Sequence, residues 1–139
     1  MKIKNKAMIL KYIKYLSIIV MSIFYIRIGI QHFIDPIDPF IYIIPPLLQS
    51  IDLELVYISG FFEIVLGLML LIPQTRKIAA YGLILLLIAV YPANLYLAFY
   101  ELPKINAGWN TGWHPFIVSW VRLPIQFIFL GLAYWHSKD

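Results

Sequence analysis

The chain has 139 residues, of which 62% are hydrophobic and only 13% are charged, and its mean hydropathy is +0.82. A soluble domain is about 45–50% apolar and about 25% charged, so this composition predicts an integral membrane protein. The absence of cysteine excludes disulfides and cysteine-ligated metal clusters. Five lysines supply much of the net charge of +4 and crowd the N-terminus before an apolar run, which favours contact with anionic lipid over nucleic acid.

Four apolar stretches are long enough to cross a bilayer, which takes about 20 residues of helix. They cover about residues 13–34, 54–72, 78–100 and 116–135. The sequence therefore predicts an all-α fold, a four-transmembrane-helix bundle, in one domain over residues 1–139. A signal peptide is disfavoured because the first apolar run is too long, contains Arg27 and is followed by no small-residue cleavage site.

The distribution of basic residues predicts the orientation of the helices. Lysines precede the first helix, Arg76 and Lys77 lie between the second and third, and Lys138 follows the fourth. The other two connections carry Lys104 as their one cation, together with five acidic residues. The positive-inside rule then predicts cytoplasmic termini. We expect the protein to lie in a bacterial-type plasma (inner) membrane, with the lipid bilayer as its first partner.

The two predicted outer connections differ in character. Segment 35–52 contains prolines that forbid a continuous helix, yet it is too apolar to be a solvated loop. We expect it to lie in the interface or to fold back over the mouth of the bundle. Segment 106–115 contains Trp109 and Trp113, which suit an outer interfacial belt together with Trp120.

Polar residues occur at similar depths in the four apolar stretches. With a rise of about 1.5 Å per residue, Arg27 and Asn94 lie roughly 20–25 Å from the cytoplasmic helix ends. Glu63 and Gln126 lie roughly 15 Å, and Arg122 roughly 10 Å, from the outer ends. These depths fall in one slab of a hydrocarbon core about 30 Å thick. The predicted buried polar layer, which is also the candidate ligand site, consists of Arg27, Gln31, His32, Glu63, Asn94, Arg122 and Gln126.

Glu63 is the central member of this layer. A carboxylate within a bilayer costs roughly 2.5–3.5 kcal/mol on insertion scales, so such a group normally faces a partner inside the bundle. Arg27 and Arg122 are the predicted partners. Gly60 and Gly67 flank the acid and allow a neighbouring helix to approach closely.

The third helix contains Pro92, two residues before Asn94. Proline removes a backbone donor and leaves a carbonyl one turn earlier without its usual partner. We therefore expect a kink at the depth of the layer, with Asn94 placed to bond freed backbone or a ligand.

Two interpretations of the layer remain open. In the first, Glu63 and an arginine form a buried ion pair that fixes helix register, and the amide side chains complete the hydrogen bonds. In the second, two arginines for one carboxylate leave a cation to bind an anionic or carbonyl-bearing ligand, such as a quinone head group. His32 either caps its helix or relays protons. The other histidines, His114 and His136, are scattered along the chain, and no nucleophile–base set or metal site is evident.

Short motifs in each predicted helix together resemble the DoxX-like membrane proteins, over nearly the whole chain from the first helix onward. They are Gly29-x-x-His32-Phe33, Gly60-x-x-Glu63-x-x-x-Gly67-x-x-Leu70-Leu71-x-Pro73-x-Thr75-Arg76, Pro92-Ala-Asn94 and Arg122-x-Pro124-x-Gln126. The resemblance implies a four-helix bundle. DoxX-like proteins include the small membrane subunit of a thiosulfate:quinone oxidoreductase, and relatives are linked to methylamine-dehydrogenase maturation, oxidative-stress complexes and receptor chaperoning.

What the resemblance implies for this chain is a non-catalytic membrane subunit or assembly factor that acts with a membrane or redox protein partner. The alternative is a quinone-interacting subunit of an oxidoreductase, with Arg27, Glu63 and Arg122 around the head group and Glu63 or His32 handling protons. No cofactor of its own is evident in the sequence, so an electron-transfer role requires a partner or a bound quinone.

Overall fold

A computed structural model describes residues 1–37, 40–99 and 115–138 of the chain, and these residues form helices and no strand. The α-helices are α1 (Lys2–Ile34), α2 (Asp52–Leu71), α3 (Arg76–Phe99) and α4 (Pro115–His136). Two short 3-10 helices, Ile41–Ile43 and Pro46–Ile51, precede α2. The prediction of an all-α fold is confirmed.

Three helical stretches in the described part of the chain are long and apolar enough to cross a membrane. They are Lys2–Ile34, Pro46–Leu71 and Arg76–Phe99. The 22-residue α4 is not among them, so a fourth span stays a prediction. Many large apolar side chains point outward, including Ile78 and Leu85, as a surface in contact with lipid requires.

Helix α1 begins at Lys2 and not near residue 13, where the apolar run starts. Its 33 residues would extend about 50 Å at about 1.5 Å per residue, well beyond a hydrocarbon core about 30 Å thick. The length of an apolar run predicts only which part of a helix can lie in lipid. The residues before that part can still be helical, because lysine, methionine and leucine are good helix formers. The first turns of α1 are exposed.

The helices pack in two principal pairs. Helix α1 packs along α2, α3 packs along α4, and α2 and α3 join the two pairs, whereas α1 and α4 meet over a small area. The apolar core lies where all four helices approach one another. Its fully or almost fully buried members include Ile18, Met21, Leu70, Leu83 and Ala133.

Glycine allows α1 and α2 to approach closely. A Cβ atom on Gly29 would lie 2.7 Å from the Gly60 carbonyl oxygen, and one on Gly60 would lie 2.6 Å from the His32 Cβ atom. Neither distance is tolerable for real carbon atoms, so larger residues at these positions would push the helices apart. The predicted role of small residues beside Glu63 therefore matches the packing of this interface.

The turn between α2 and α3 is held by side chains that bond the last carbonyls of α2. The Thr75 hydroxyl donates to the Met69 carbonyl (2.8 Å), and Arg76 Nε donates to the Leu70 carbonyl (3.0 Å). Arg76 is only 6% exposed. A buried cation thus satisfies groups that a helix C-terminus leaves unpaired, in a favourable position relative to the helix dipole.

The proline-containing segment before α2 forms no continuous α-helix in its described residues. Its first 3-10 helix packs against α2 and α3, and its second against α2. Residues 38 and 39 lie outside the described residues, as do Trp109, Trp113 and His114, so the predictions made for these positions stay predictions.

Candidate functional site

Glu63 lies on the face of α2 that packs against α1, and it is 8% exposed. Its Oε2 atom is 3.3 Å from His32 Nδ1, on the last turn of α1. This oxygen makes no hydrogen bond with any described residue. The partner that the fold brings to the buried carboxylate is thus a histidine from the neighbouring helix.

His32 is held in place from two sides. Its Nδ1 atom lies 2.8 Å from the Ile28 carbonyl oxygen, and the Phe40 ring stacks on the imidazole with ring centroids 3.7 Å apart. A carbonyl oxygen only accepts hydrogen bonds, so Nδ1 carries a proton and Nε2 is the second site for one. His32 therefore bonds back to its own helix, one turn earlier, and contacts the acid at the same time.

The structure corrects the prediction that Arg27 pairs with Glu63. Arg27 and Gln31 share a face of α1, as their spacing predicts, but this face is exposed. Residues 27 and 32 are separated by about 140° around a helix with about 3.6 residues per turn, so Arg27 cannot follow His32 into the interface. Arg27 thus lies away from the contact that the structure describes between Glu63 and His32, and pairing of Glu63 with Arg122 stays a prediction.

Asn94 and Gln126 form a second polar cluster, between α3 and α4. The Asn94 Nδ2 atom donates to Gln126 Oε1 (2.5 Å), and Gln126 Nε2 donates to the Leu87 carbonyl. Leu87 lies on the same helix, just over one turn before Pro92. The half-buried Arg122 lies one turn earlier on α4 and has its own interactions.

The seven predicted site residues therefore do not meet in one layer. His32 and Glu63 meet between α1 and α2, Asn94 and Gln126 meet between α3 and α4, and Arg27 and Gln31 face outward. Each of the two clusters links the helices of one principal pair. Depth along the membrane normal was estimated from the sequence, whereas the rotation of each helix decides which side chains meet.

Two buried hydroxyl groups on α1, which the sequence analysis passed over, belong to the environment of Glu63. Ser22 and Tyr25 are 0% and 4% exposed, and neither hydroxyl has a hydrogen-bond partner among the described residues. Tyr25 lies close enough to Glu63 for an electrostatic interaction. Their spacing to Gly29 and His32, in steps of three and four residues, places all four on one helix face and could have revealed them.

A third polar cluster ties α1 to α4 at the end of the bundle that holds both termini. The Ser17 hydroxyl donates to the Lys14 carbonyl (2.9 Å), so it accepts from His136 Nε2, which lies 2.7 Å away. Lys14 Nζ donates to the Lys138 carbonyl (2.6 Å). His136 is completely buried. The sequence placed this histidine far from the layer but did not indicate its bond to α1.

An open apolar groove of about 720 Å³ lies between the proline-containing segment and α3. Its lining residues are Pro45, Pro46, Pro92, Leu95, Tyr96 and Phe99. Within the described ranges, no group of three histidine or acidic residues could hold a metal ion.

A family model described as "Domain of unknown function (DUF8561)" matches residues 21–137, which is most of the chain. The matched range includes His32, Glu63, Asn94 and Gln126. No curated protein and no solved structure matches the chain.

Proposed function

The chain belongs to the family described as a domain of unknown function (DUF8561), and we propose that it is a non-catalytic integral membrane subunit or assembly factor that acts with a partner protein. This is the role implied by the resemblance of its motifs to DoxX-like proteins. We place it in a bacterial-type plasma membrane as four spans with cytoplasmic termini, following the positive-inside rule.

One observation carries this proposal: three pairs of buried or half-buried polar side chains join one helix to another. His32 and Glu63 link α1 to α2, Asn94 and Gln126 link α3 to α4, and Ser17 and His136 link α1 to α4. A buried polar contact of this kind holds two helices in register, because separating them would leave polar groups in hydrocarbon. Such use of the polar residues supports a structural bundle.

The exposed N-terminal part of α1 supports the proposal that a partner protein binds. Residues 2–14 carry five lysines and extend past the length that a bilayer needs, and all of them are exposed except the half-buried Lys14. A basic helix in this position can contact anionic lipid and an acidic protein surface on the same side of the membrane.

Native mass spectrometry of the protein purified gently from its own membranes tests this proposal. We expect a second protein in stoichiometric amount, and we expect it to remain with the Glu54→Gln variant, which changes an exposed acid. Reversal of charge at Lys4 and Lys6 should weaken the complex without loss of the fold. Recovery of the chain alone, in a preparation where a known membrane complex survives the same steps, contradicts the proposal.

A quinone-interacting subunit is the second candidate, and the groove beside α3 is the observation that favours it. A volume of about 720 Å³ lies within the range of about 300–1,000 Å³ that is typical of small-molecule sites. Proline, leucine and aromatic side chains suit a lipid-soluble ring, and Tyr96 supplies a polar atom at the groove.

Quinone binding in detergent separates the two candidates. If the groove is the site, Leu95→Trp should fill it and weaken binding by about tenfold or more, equivalent to about 1.4 kcal/mol. Leu85→Trp, on an exposed face of the same helix, is the matched control and should leave binding unchanged. Absence of saturable binding to the folded wild-type protein removes this candidate and leaves the first one standing.

A further inference from the structure

Helix α1 carries a regular, mainly apolar stripe on the side that faces away from the other helices. Its members follow one another in steps of three and four residues, and the apolar ones are between 44% and 77% exposed. Such steps make the heptad repeat by which two helices pack side by side in a left-handed coiled coil, the commonest packing between membrane helices. This outer stripe consists of Leu16, Val20, Ile23, Arg27, Ile30 and Ile34.

Arg27 is the one charged member of the outer stripe. It lies about 160° around α1 from Gly29, which packs against α2, so it faces away from the bundle. It is exposed and makes no ion pair or hydrogen bond with a described residue. A cation in the middle of an apolar helix is costly in lipid, and such groups normally pair with an opposite charge. The outer stripe therefore has a site for an anion.

The position of Arg27 along α1 favours an anion inside the membrane over a lipid phosphate at its surface. Arg27 lies seven residues before Ile34, about 10 Å from the nearer end of the helix. Because the Cα–Cβ bond of a helical residue tilts toward the N-terminus, the side chain of Arg27 starts in the direction away from that end. A carboxylate on a neighbouring helix can lie at the level of the guanidinium without this difficulty.

A second copy of this chain does not supply that carboxylate. Two copies that pack through their outer stripes in parallel would place Arg27 against Arg27, since residues at equivalent heptad positions meet in a parallel pair. Glu63 is the one acid in the interior of an apolar stretch, and it is buried between α1 and α2 in contact with His32. The anion must therefore come from a different protein.

We propose that the outer stripe of α1 binds a transmembrane helix of the partner protein, and that a glutamate or aspartate of that helix forms an ion pair with Arg27. This inference rests on the proposed role as a subunit or assembly factor and specifies the chemistry of the partner. Apolar side chains alone do not drive helices together in lipid. The outer stripe thus supplies close packing, and the ion pair supplies affinity and fixes the register, as a single polar residue does in a coiled coil.

Gln31 strengthens the match to a carboxylate. It is exposed and lies one turn after Arg27, beside the outer stripe. Its amide group can donate a hydrogen bond to the same acid that Arg27 pairs with.

Two synthetic membrane-spanning peptides test this inference with the full chain in phosphatidylcholine liposomes. Both carry leucine and isoleucine at heptad spacing, and they differ only in a glutamate or a glutamine that lies as far from the helix end as Arg27 does. Energy transfer between labelled chain and labelled peptide measures binding. We expect the glutamate peptide to bind about tenfold more tightly or better, and Arg27→Gln should abolish this preference. Lys77→Gln changes an exposed cation outside the outer stripe and should preserve it.

Two further variants test the ion pair and the packing separately. Arg27→Glu should lose the glutamate peptide and gain binding to a peptide with lysine in its place. Ile23→Trp should obstruct the outer stripe and weaken binding by about threefold or more, whereas Leu85→Trp, on an exposed face of α3, should not. Arg27 and Ile23 are both exposed, so these variants should unfold at the temperature of the wild type.

Equal binding of the glutamate and glutamine peptides to the wild-type chain overturns the inference. Equal peptide binding together with Arg27-dependent enrichment of phosphatidylglycerol around the chain overturns it in favour of a lipid phosphate. In native mass spectrometry, the partner should be lost from Arg27→Gln. A partner that this variant retains overturns the inference and leaves the proposed subunit role standing, whereas a wild-type chain recovered alone contradicts the subunit role whatever the peptides show.

Discussion

The two principal helix pairs use buried polar groups in opposite ways. Between α3 and α4, Asn94, Gln126 and the Leu87 carbonyl form a chain in which each amide bonds to a described group. Between α1 and α2, Glu63 has an ion-pair contact with His32, but its Oε2 atom lacks a hydrogen-bond partner among the described residues. The first arrangement is the one expected of a structural contact.

This difference separates two ways of joining helices within one small bundle. A satisfied polar network rigidifies a core, whereas an unsatisfied buried group costs free energy and persists where it serves another purpose. We therefore assign the α3–α4 cluster to helix packing through its hydrogen bonds, and the α1–α2 interface to packing through its glycines.

The largest effect should follow from loss of the close approach of α1 and α2. Gly60→Leu places carbon where the His32 Cβ atom would be 2.6 Å away, so it should destabilise the bundle by about 3 kcal/mol or more. Thermal unfolding in detergent measures this change. Gly131→Leu is the control, because a Cβ at that glycine meets nothing within 4 Å. Equal effects of the two variants would show that the glycine contact does not hold the pair.

A smaller loss is expected at the turn that joins the two pairs. Arg76→Ala removes the donors to the Leu70 and Leu71 carbonyls, and hydrogen bonds to charged groups contribute about 1.5–3 kcal/mol. We expect destabilisation of about 2 kcal/mol in the same unfolding assay. Lys77→Ala changes an exposed neighbour and should be nearly neutral; a comparable loss there would remove the special role of Arg76.

The α3–α4 network should contribute less. Gln126→Leu removes the acceptor for Asn94 and a donor to the Leu87 carbonyl, and polar contacts between membrane helices are worth about 0.6–1.7 kcal/mol. The expected loss is about 1 kcal/mol, measured by thermal unfolding in detergent. Gln31→Leu makes the same substitution at an exposed position of α1 and should not destabilise the protein. Equal destabilisation by Gln126→Leu and Gln31→Leu would contradict the role assigned to the α3–α4 network.

The smallest effect concerns the contact of α1 with α4. Ser17→Ala removes the acceptor of the 2.7 Å bond from His136 and should cost about 0.5–1.5 kcal/mol. Backbone hydrogen exchange should then rise around Ser17 in α1 and around His136 in α4. Ser59→Ala, which removes a bond within a single helix, should not increase exchange in α4. A rise in α4 exchange with both variants would show that the effect is not specific to this contact.

The sequence predicted the all-helical fold and the common level of Asn94 and Gln126 better than it predicted which side chains contact one another. Apolar length and helical rise placed Asn94 and Gln126 at one level, and the structure brings them together. The same reasoning placed Arg27 at the level of Glu63, but gave no information on how α1 is rotated. Close packing at Gly29 and Gly60 sets that rotation, turning His32 toward the acid and Arg27 outward. The depth of a residue along its helix gives no information on which side of the helix packs against its neighbour.

Bonds to backbone carbonyls were also beyond the sequence patterns. Arg76 and Lys77 both count as cations in a short loop, yet Arg76 alone of the two is buried and bonds the end of α2. Which of two adjacent cations turns inward depends on the geometry of the turn, and composition carries no signal for it.

A double-mutant cycle on the free energy of unfolding tests most directly whether Glu63 is paired with His32. Unfolding is measured in detergent for His32→Gln, Glu63→Gln and the double variant, and for the parallel cycles with Arg27→Gln and Arg122→Gln. Residues in contact show coupling of about 0.5–3 kcal/mol, whereas distant ones add within about 0.5 kcal/mol. We predict coupling of about 1 kcal/mol for His32 with Glu63 and additivity for both arginines. Coupling of Glu63 to an arginine, with none to His32, would contradict this account.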